Sequence, residues 1–523
     1  NSSNQDRRSY DIVVCGATGF TGRLVIEYLV RNYAQDGVLR WAAAGRNAAK
    51  LQQVLSDIAG PDHAIPLIVA DSDDRSSMKS LARSTRVVLT TVGPYAKFGT
   101  PMVEACVDSG THYCDLSGEP QWIRRMIDTY QPAARASGSR IVHSCGFDSI
   151  PSDFGVWFLQ REALRVHGKP CQQVRMLVRA MKGGASGGTI ASVTQAMDEA
   201  RADRNVARIL VDPYGLNPEG ERQGPDQRDQ SGVIYDSTAR TWTAPFIMAG
   251  INTRIVRRTN ALSAYPYGKD FRYSEAVMSG PGPAGWSKAA AMTAGLGAFM
   301  LANSHRLTRS LLVSRLLPEP GEGPSRKERE SGYFKLAFFG TQADGNSLRA
   351  TVTGDRDPGY GSTSKMLSES AVCLAMDSLP VGAGTAADRI TIGFADNCEH
   401  VLPPKPVQAR HPRLLLQKSA LVAAVVIAAG GAGAGQTCSR GSAVNPVEPG
   451  DAEAVHPALA DKDDRYAPAT ESFIRPLRFG ISLDVIFDIR NSLLAEIIAR
   501  LLAVRTPAGG VHHHLPLVIV GHC

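Results

Sequence analysis

Val14-Cys15-Gly16-Ala17-Thr18-Gly19-Phe20-Thr21-Gly22 is the stretch on which the reading of this chain turns. It follows a short apolar run, Asp11–Cys15 (DIVVC), that reads as a strand. It opens a segment from Gly22 to about Arg31 with Leu24, Tyr28 and Leu29 on one side, which reads as a helix. The glycines are spaced G-x-x-G-x-x-G, a variant of the dinucleotide fingerprint. Gly16 is expected to make the tight turn off the strand. Gly19 is expected to let the backbone approach a pyrophosphate, and Gly22 to let helix and strand pack closely. Ala17, Thr18, Phe20 and Thr21 complete the loop. The helix start offers free N–H groups and a partial positive charge to phosphates. Three glycines alone are a weak motif, and a plain Gly-rich turn has the same residues. The strand before, the helix after and four further strand–helix units tip the balance.

Those units run outward from the loop. Strands are expected at Leu39–Ala44, Ile65–Ala70, Arg86–Val92, His112–Asp115 and Arg140–Ser144. Helices are expected at Ala48–Ile58, Met78–Arg83, Pro101–Ser109 and Pro120–Ala136. This alternation predicts an α/β fold, a doubly wound parallel sheet of Rossmann type over residues 11–145. The ends of its strands then become candidate sites. Where an NAD-binding chain has a carboxylate after the second strand, this one has Ala44-Gly45-Arg46. A carboxylate would repel a 2′-phosphate, whereas Arg46 can clamp it bidentately, which favours NADP(H). Lys50 lies one turn later. Asp71, at the end of the third strand, suits either the adenine amino group or the cap of the next helix. Gly93 and Pro94, after the fourth strand, would shape a loop beside the nicotinamide ribose. Tyr95 next to them is a candidate proton donor, with simple packing the alternative.

After Cys145 the pattern changes. Strand-like stretches at Val174–Met181, Thr253–Arg257, Phe271–Met278, Tyr333–Gly340 and Leu348–Thr353 are separated by polar or Gly/Pro-rich segments. They predict a second, α+β domain over residues 146–380, built on a mostly antiparallel sheet and holding the substrate. Lys182–Thr189 (KGGASGGT) is a Gly-rich loop suited either to covering an acyl or phosphate group or to simple connection. Gly285–Leu301 reads as a buried or surface-docked helix rather than a membrane span. Residues 1–10 form a polar extension. Residues 381–523 form a divergent tail with a linker at Ser439–Thr470 and one helix over Asp484–Val504.

Composition narrows the function classes. Of 523 residues, 43% are hydrophobic and 20% charged, so the bulk is globular. The net charge of +7 fits anionic cofactors or an anionic membrane surface, but no Lys/Arg run reads as a nucleic-acid arm. Nine Cys are scattered without a C-x-x-C pair, the pattern of free thiols in a reducing compartment. No metal site is expected, since His512–His514 is an isolated run near the end. The start of the chain shows no secretory h-region, and a cytoplasmic location is the default. There is no nucleophile elbow, no H-E-x-x-H and no P-loop. Hydride transfer needs none of them, because the cofactor carries that chemistry.

Taken together, GATGFTG, AAAGR, TTVGPYAKFG, the Tyr113–Glu119 run YCDLSGE, the Ile141–Asp153 run IVHSCGFDSIPSD and KGGASGGTIAS resemble the saccharopine dehydrogenase-like oxidoreductases, and within them the trans-acting enoyl reductases of mycobacterial type. The resemblance runs from about Tyr10 to Leu379 and departs after it. It implies NADPH dependence, with contacts from Gly16, Thr18, Gly19, Phe20, Thr21, Gly22, Arg46 and Gly93. It implies reduction of the α,β-double bond of an acyl thioester held on a polyketide synthase or acyl carrier protein, in the synthesis of envelope lipids, including glycolipids. Relatives that associate with membranes or lipid droplets supply the rival expectation, a nucleotide-fold protein that contacts a membrane and does no chemistry. True saccharopine or amino-acid dehydrogenase activity is the weakest reading, because no cationic cluster for several carboxylates is visible.

Overall fold

A computed structural model describes residues 8–33, 39–183, 187–304, 323–376, 390–391 and 481–486. In chain order the first elements are β1 (Tyr10–Cys15), α1 (Phe20–Tyr33), β2 (Trp41–Gly45), α2 (Ala48–Ala59), β3 (Leu67–Val69), α3 (Arg75–Ser84) and β4 (Thr85–Thr90). Next come α4 (Tyr95–Phe98), α5 (Thr100–Ser109), β5 (His112–Cys114), α6 (Pro120–Ser137) and β6 (Ile141–Val142). The strands line up as β6-β5-β4-β1-β2-β3, every pair parallel. This is the doubly wound order, and its direction reverses between β1 and β4, where ligands bind. Both faces of such a sheet are covered, so its strands are apolar throughout: Ile12, Val13 and Val14 in β1 and Val87, Val88 and Leu89 in β4 are fully buried.

The second sheet is antiparallel except for one pair. Its members are β7 (Gln173–Lys182), β8 (Ile234–Asp236), β9 (Thr241–Pro245), β10 (Arg272–Gly280), β11 (Tyr333–Thr341), β12 (Ser347–Gly354) and a late strand, Ile481–Ile486. β7 and β10 pair in parallel at its centre. Helix α7 (Ile150–His167) precedes these strands in sequence, and α8 (Gly187–Ala202), α9 (Arg204–Val211), α10 (Ala249–Leu262) and α11 (Gly282–Ser304) lie between them. After them come α12 (Arg326–Glu330) and α13 (Thr363–Met376).

Three expectations are corrected. Thr253–Arg257 is not a strand but the middle of α10. Its alternation of Arg with Ile and Val imitates a half-buried strand, but the helix is buried almost all round, and its arginines are neutralised locally. Arg254 pairs with Asp229 (2.5 Å) and Arg257 with Asp226 (2.7 Å), while Arg254, Arg257 and Arg258 also donate to the carbonyls of Leu210, Pro213 and Leu216. Second, residues 11–145 do not complete the first unit alone. Helix α13 packs against α1, β1, β4 and β5, where the Tyr28 and Tyr33 hydroxyls donate to Glu369, and Ile390–Thr391 adds a parallel strand beside β6. A parallel sheet needs cover on both faces, and the chain returns to provide it. Third, Asp484–Ile486 lie in the edge strand Ile481–Ile486, antiparallel to β12, rather than opening a helix. The rest of that expected helix, the linker and His512–His514 fall outside the described residues. At the other end Arg8 is buried and docked on Ser109 and Thr111, so the polar extension ends tied to the first unit.

Cys15, Cys106, Cys114, Cys145, Cys171 and Cys373 are all buried thiols. Among the described residues no group of His, Cys, Asp and Glu is placed to hold a metal ion. No described helix is long and apolar enough to cross a membrane.

Candidate functional site

The Gly-rich loop lies at the β1–β4 reversal. Gly16 takes φ +81, and a Cβ there would sit 2.7 Å from Thr91 Oγ1 and 2.9 Å from Val92 Cγ2. A left-handed backbone and a tight neighbour both require glycine. Gly22 is needed for another reason: its Cβ would be 2.1 Å from the Gly16 carbonyl oxygen. Gly19 differs. It is exposed, and its Cβ would meet only the Gly16 carbonyl, at 3.3 Å, so its outer side is open. Closed behind and open in front, the loop presents the first amides of α1 to an anion. Its residues therefore fit a dinucleotide pyrophosphate.

The neighbouring strand ends are disposed as follows. Arg46 is exposed beyond β2, at the start of α2, where Asn47 rather than Arg46 caps the helix by accepting from the Lys50 amide (2.9 Å). The Arg46 guanidinium is thus available to a phosphate. Asp71 is half-buried, and its Oδ1 accepts from the Asp73 amide (3.1 Å). The cap of α3 is Asp74, so the capping alternative for Asp71 falls away. Gly93 is exposed and Pro94 half-buried.

Tyr95 is corrected from its expected role. Only 3% of it is exposed, its hydroxyl donates to the Thr90 carbonyl (3.0 Å), and its ring packs 5.5 Å from that of Trp122. Burial, with Asp115 next, raises its hydroxyl well above the usual tyrosine range. The phenol is a packing group, its hydroxyl turned to the Thr90 carbonyl.

Carboxylates that the sequence quoted only inside longer runs form the floor of the site. Glu119 is fully buried. It accepts from the amides of Tyr95 (2.9 Å) and Ala96 (2.8 Å), and from the Ser192 hydroxyl on α8 (2.7 Å). One side chain thereby caps the turn after β4 and ties the helix following β7 to it. Asp115, also fully buried, takes the Tyr113 hydroxyl (2.9 Å) and His143 Nδ1 (2.7 Å) on Oδ2. Its Oδ1 accepts from the amides of Ser117 (2.9 Å) and Ser144 (3.1 Å). These contacts knit the ends of β5 and β6 together. The Lys182–Thr189 loop is only partly visible: residues 184–186 lie outside the described ones, and Gly187 already opens α8.

A fold of this order with such a loop defines a dinucleotide-dependent oxidoreductase. Residues 12–142 match the family model of the saccharopine dehydrogenase NADP-binding domain. The trans-acting enoyl reductase of Mycobacterium tuberculosis is 40% identical over 381 residues, covering 71% of this chain and 90% of that protein. That of Mycobacterium leprae is 38% identical over 382 residues, with the same coverage. This chain belongs to the trans-acting enoyl reductase family of saccharopine dehydrogenase-like oxidoreductases and is an NADP-dependent oxidoreductase.

Proposed function

We propose that this protein reduces the α,β-double bond of a long acyl or polyketide thioester, presented by a separate synthase or acyl carrier protein, in lipid biosynthesis. The observation that carries the reading is the pre-formed Gly16–Gly22 cradle at the sheet's reversal, within a chain similar to enoyl reductases along most of their length. Bound NADPH supplies the hydride for the β-carbon of the substrate. The protein's part is to bind and orient. The loop of Gly16, Ala17, Thr18, Gly19, Phe20, Thr21 and Gly22 would receive the pyrophosphate, and Arg46 the 2′-phosphate. Asp71 would take the adenine side, and Gly93 with Pro94 the nicotinamide ribose. Glu119 fixes the turn that carries Gly93 and Pro94 against the substrate side of the cleft. The arginines of α10 are engaged by Asp226, Asp229 and carbonyls, which argues against a site for a dicarboxylic amino acid.

The test is oxidation of NADPH by the purified protein, dependent on a long-chain trans-2-enoyl thioester and absent with saccharopine. Tight NADPH binding without turnover on any enoyl thioester would favour the inactive nucleotide-fold reading. We place the protein in the cytoplasm with peripheral membrane contact through α11. There Trp286 and Leu301 are 50% and 67% exposed on a helix rich in Ala and Gly. Failure to co-sediment with lipid vesicles would remove that contact.

A further inference from the structure

Reduction of a carbon–carbon double bond needs a proton as well as a hydride, and Tyr95 is not the group to give it. We propose that Asp148 is the proton donor, an inference that rests on the enoyl-reductase reading above. Asp148 lies in the crossing that leaves β6. It therefore shares with the Gly16 loop the carboxyl edge of one parallel sheet, where such folds bind ligands. The charge of Asp115, after β5, acts on it, and its own charge acts on Tyr95, after β4, so it lies on the β4–β5–β6 side of the reversal.

Its surroundings contrast with those of the neighbouring acids. Asp115 and Glu119 are saturated by protein donors. The Asp148 carboxyl accepts no hydrogen bond from the described residues, yet it is not among their enclosed, unsatisfied polar atoms. The residue is half-buried. Its loop is held firmly on both sides. A Cβ on Gly146 would meet Thr363 Cγ2 at 2.9 Å, the Phe147 amide donates to Thr363 Oγ1 (3.0 Å), and the Phe147 ring packs 4.9 Å from Phe334. A half-buried carboxyl without a partner among the described residues, on a firmly held loop at the carboxyl edge of the sheet, suits a general acid. Crowding by protein atoms, then the Asp115 charge, pushes it up to about 7, so much of it carries a proton at neutral pH. Asp115 is the charged group acting on it, and the Tyr95 phenol is a titrating group on which it acts in turn.

The step balances. The β-carbon would receive a hydride, one proton with two electrons, from bound NADPH, which would leave as NADP+. The π-electron pair of the double bond moves to the α-carbon, stabilised by the thioester carbonyl. The α-carbon takes the Asp148 proton, leaving a carboxylate that water reprotonates.

The experiment compares wild type, Asp148→Asn and Asp148→Glu as full chains, with NADPH and a long-chain trans-2-enoyl coenzyme A thioester. In wild type, kcat/KM should fall as pH rises through about 7, because the acid form is lost. In Asp148→Asn, kcat should drop by about 100-fold or more, that pH limb should vanish, and NADPH affinity should stay within about twofold. Asp148→Glu should recover part of the rate and the limb. Infrared spectra of the cofactor-free protein in a Glu275→Gln background, which removes the other carboxyl raised to about 7, should show a protonated-carboxyl band titrating near neutrality that is missing when Asp148→Asn is added. An Asp148→Asn enzyme with wild-type kcat and pH profile, or no such band in the Glu275→Gln protein, overturns the assignment. A wild type inactive toward enoyl thioesters overturns the reaction itself and this step with it, and is told apart because the wild type already fails. Should Asp148→Asn not fold, the Asp148→Glu profile and the infrared titration of Glu275→Gln still decide.

Discussion

Gly22→Ala is the sharpest perturbation the site offers. The added Cβ would stand 2.1 Å from the Gly16 carbonyl oxygen, 2.8 Å from its carbon and 2.9 Å from Ala17 Cα, all backbone atoms that no rotamer change can move. Real Cβ contacts essentially never fall under 3.0 Å, so α1 and the loop must part by about 0.9 Å, the difference between 3.0 and 2.1 Å. Overpacking of this kind costs about 1–3 kcal/mol. For a domain of this size that lowers Tm by roughly 2–4 °C per kcal/mol. The same displacement misaligns the amides at the start of α1. Losing one charge-assisted hydrogen bond costs about 1.5–3 kcal/mol, or roughly 10–100-fold in NADPH affinity. Gly19→Ala is the control. Its Cβ meets only one atom, at 3.3 Å, so the fold should tolerate it with Tm within about 2 °C, while NADPH binding still weakens because the methyl occupies the open front. Thermal unfolding and nicotinamide fluorescence titration of the two variants measure both effects. If Gly22→Ala keeps wild-type Tm and affinity, or if Gly19→Ala loses stability rather than affinity, the division of labour between these glycines is wrong.

Three further outcomes are expected. Arg46→Ala should weaken NADPH by about tenfold or more while leaving NADH within about twofold; equal losses, read by calorimetry, would mean the guanidinium does not reach a 2′-phosphate. Tyr95→Phe should keep kcat within about threefold and cost about 0.5–1.5 kcal/mol in denaturant unfolding, the worth of one buried hydrogen bond to Thr90, whereas a hundredfold fall in kcat would restore it as an acid. Glu275 is 2% exposed, and burial raises its carboxyl from 4.5 to about 7 despite hydrogen bonds from Asn252 and Tyr273. A raised folded-state value means its stability contribution is complete below about pH 4.5 and lost as pH climbs through about 7, by up to about 3 kcal/mol; Glu275→Gln should flatten that decline, and an unchanged slope in unfolding measured from pH 5 to 8 would refute the assignment.

The first sheet was legible because two periods alternate along residues 11–145 and because glycines with a backbone reason are recognisable by spacing. Arg46 was legible as a departure from a carboxylate at a known position. What escaped shares one cause: a group buried by distant partners. The arginines of α10 need Asp226 and Asp229, about 30 residues upstream, before they can be interior, and a local pattern shows only polar alternation. Asp115, Glu119 and Asp148 stood in quoted runs without roles, although carboxylates following successive parallel strands point to one edge and were a usable signal. What separates them, saturation against exposure, arises only when Ser192, Tyr113, His143 and Thr363 arrive from elsewhere.

The buried cysteines turn the protein into its own clock. Burial raises the Cys15 and Cys171 thiols to about 12 and those of Cys106, Cys114 and Cys145 above the usual range as well, so in the native state almost none is thiolate. An alkylating reagent can modify them only during transient opening. They are distributed along the fold: on β1, α5 and β5, at the end of β6, ahead of β7 and on α13. Peptide-resolved labelling rates would therefore rank these parts of the molecule by opening free energy. Their change on adding NADPH would show which parts the cofactor holds shut.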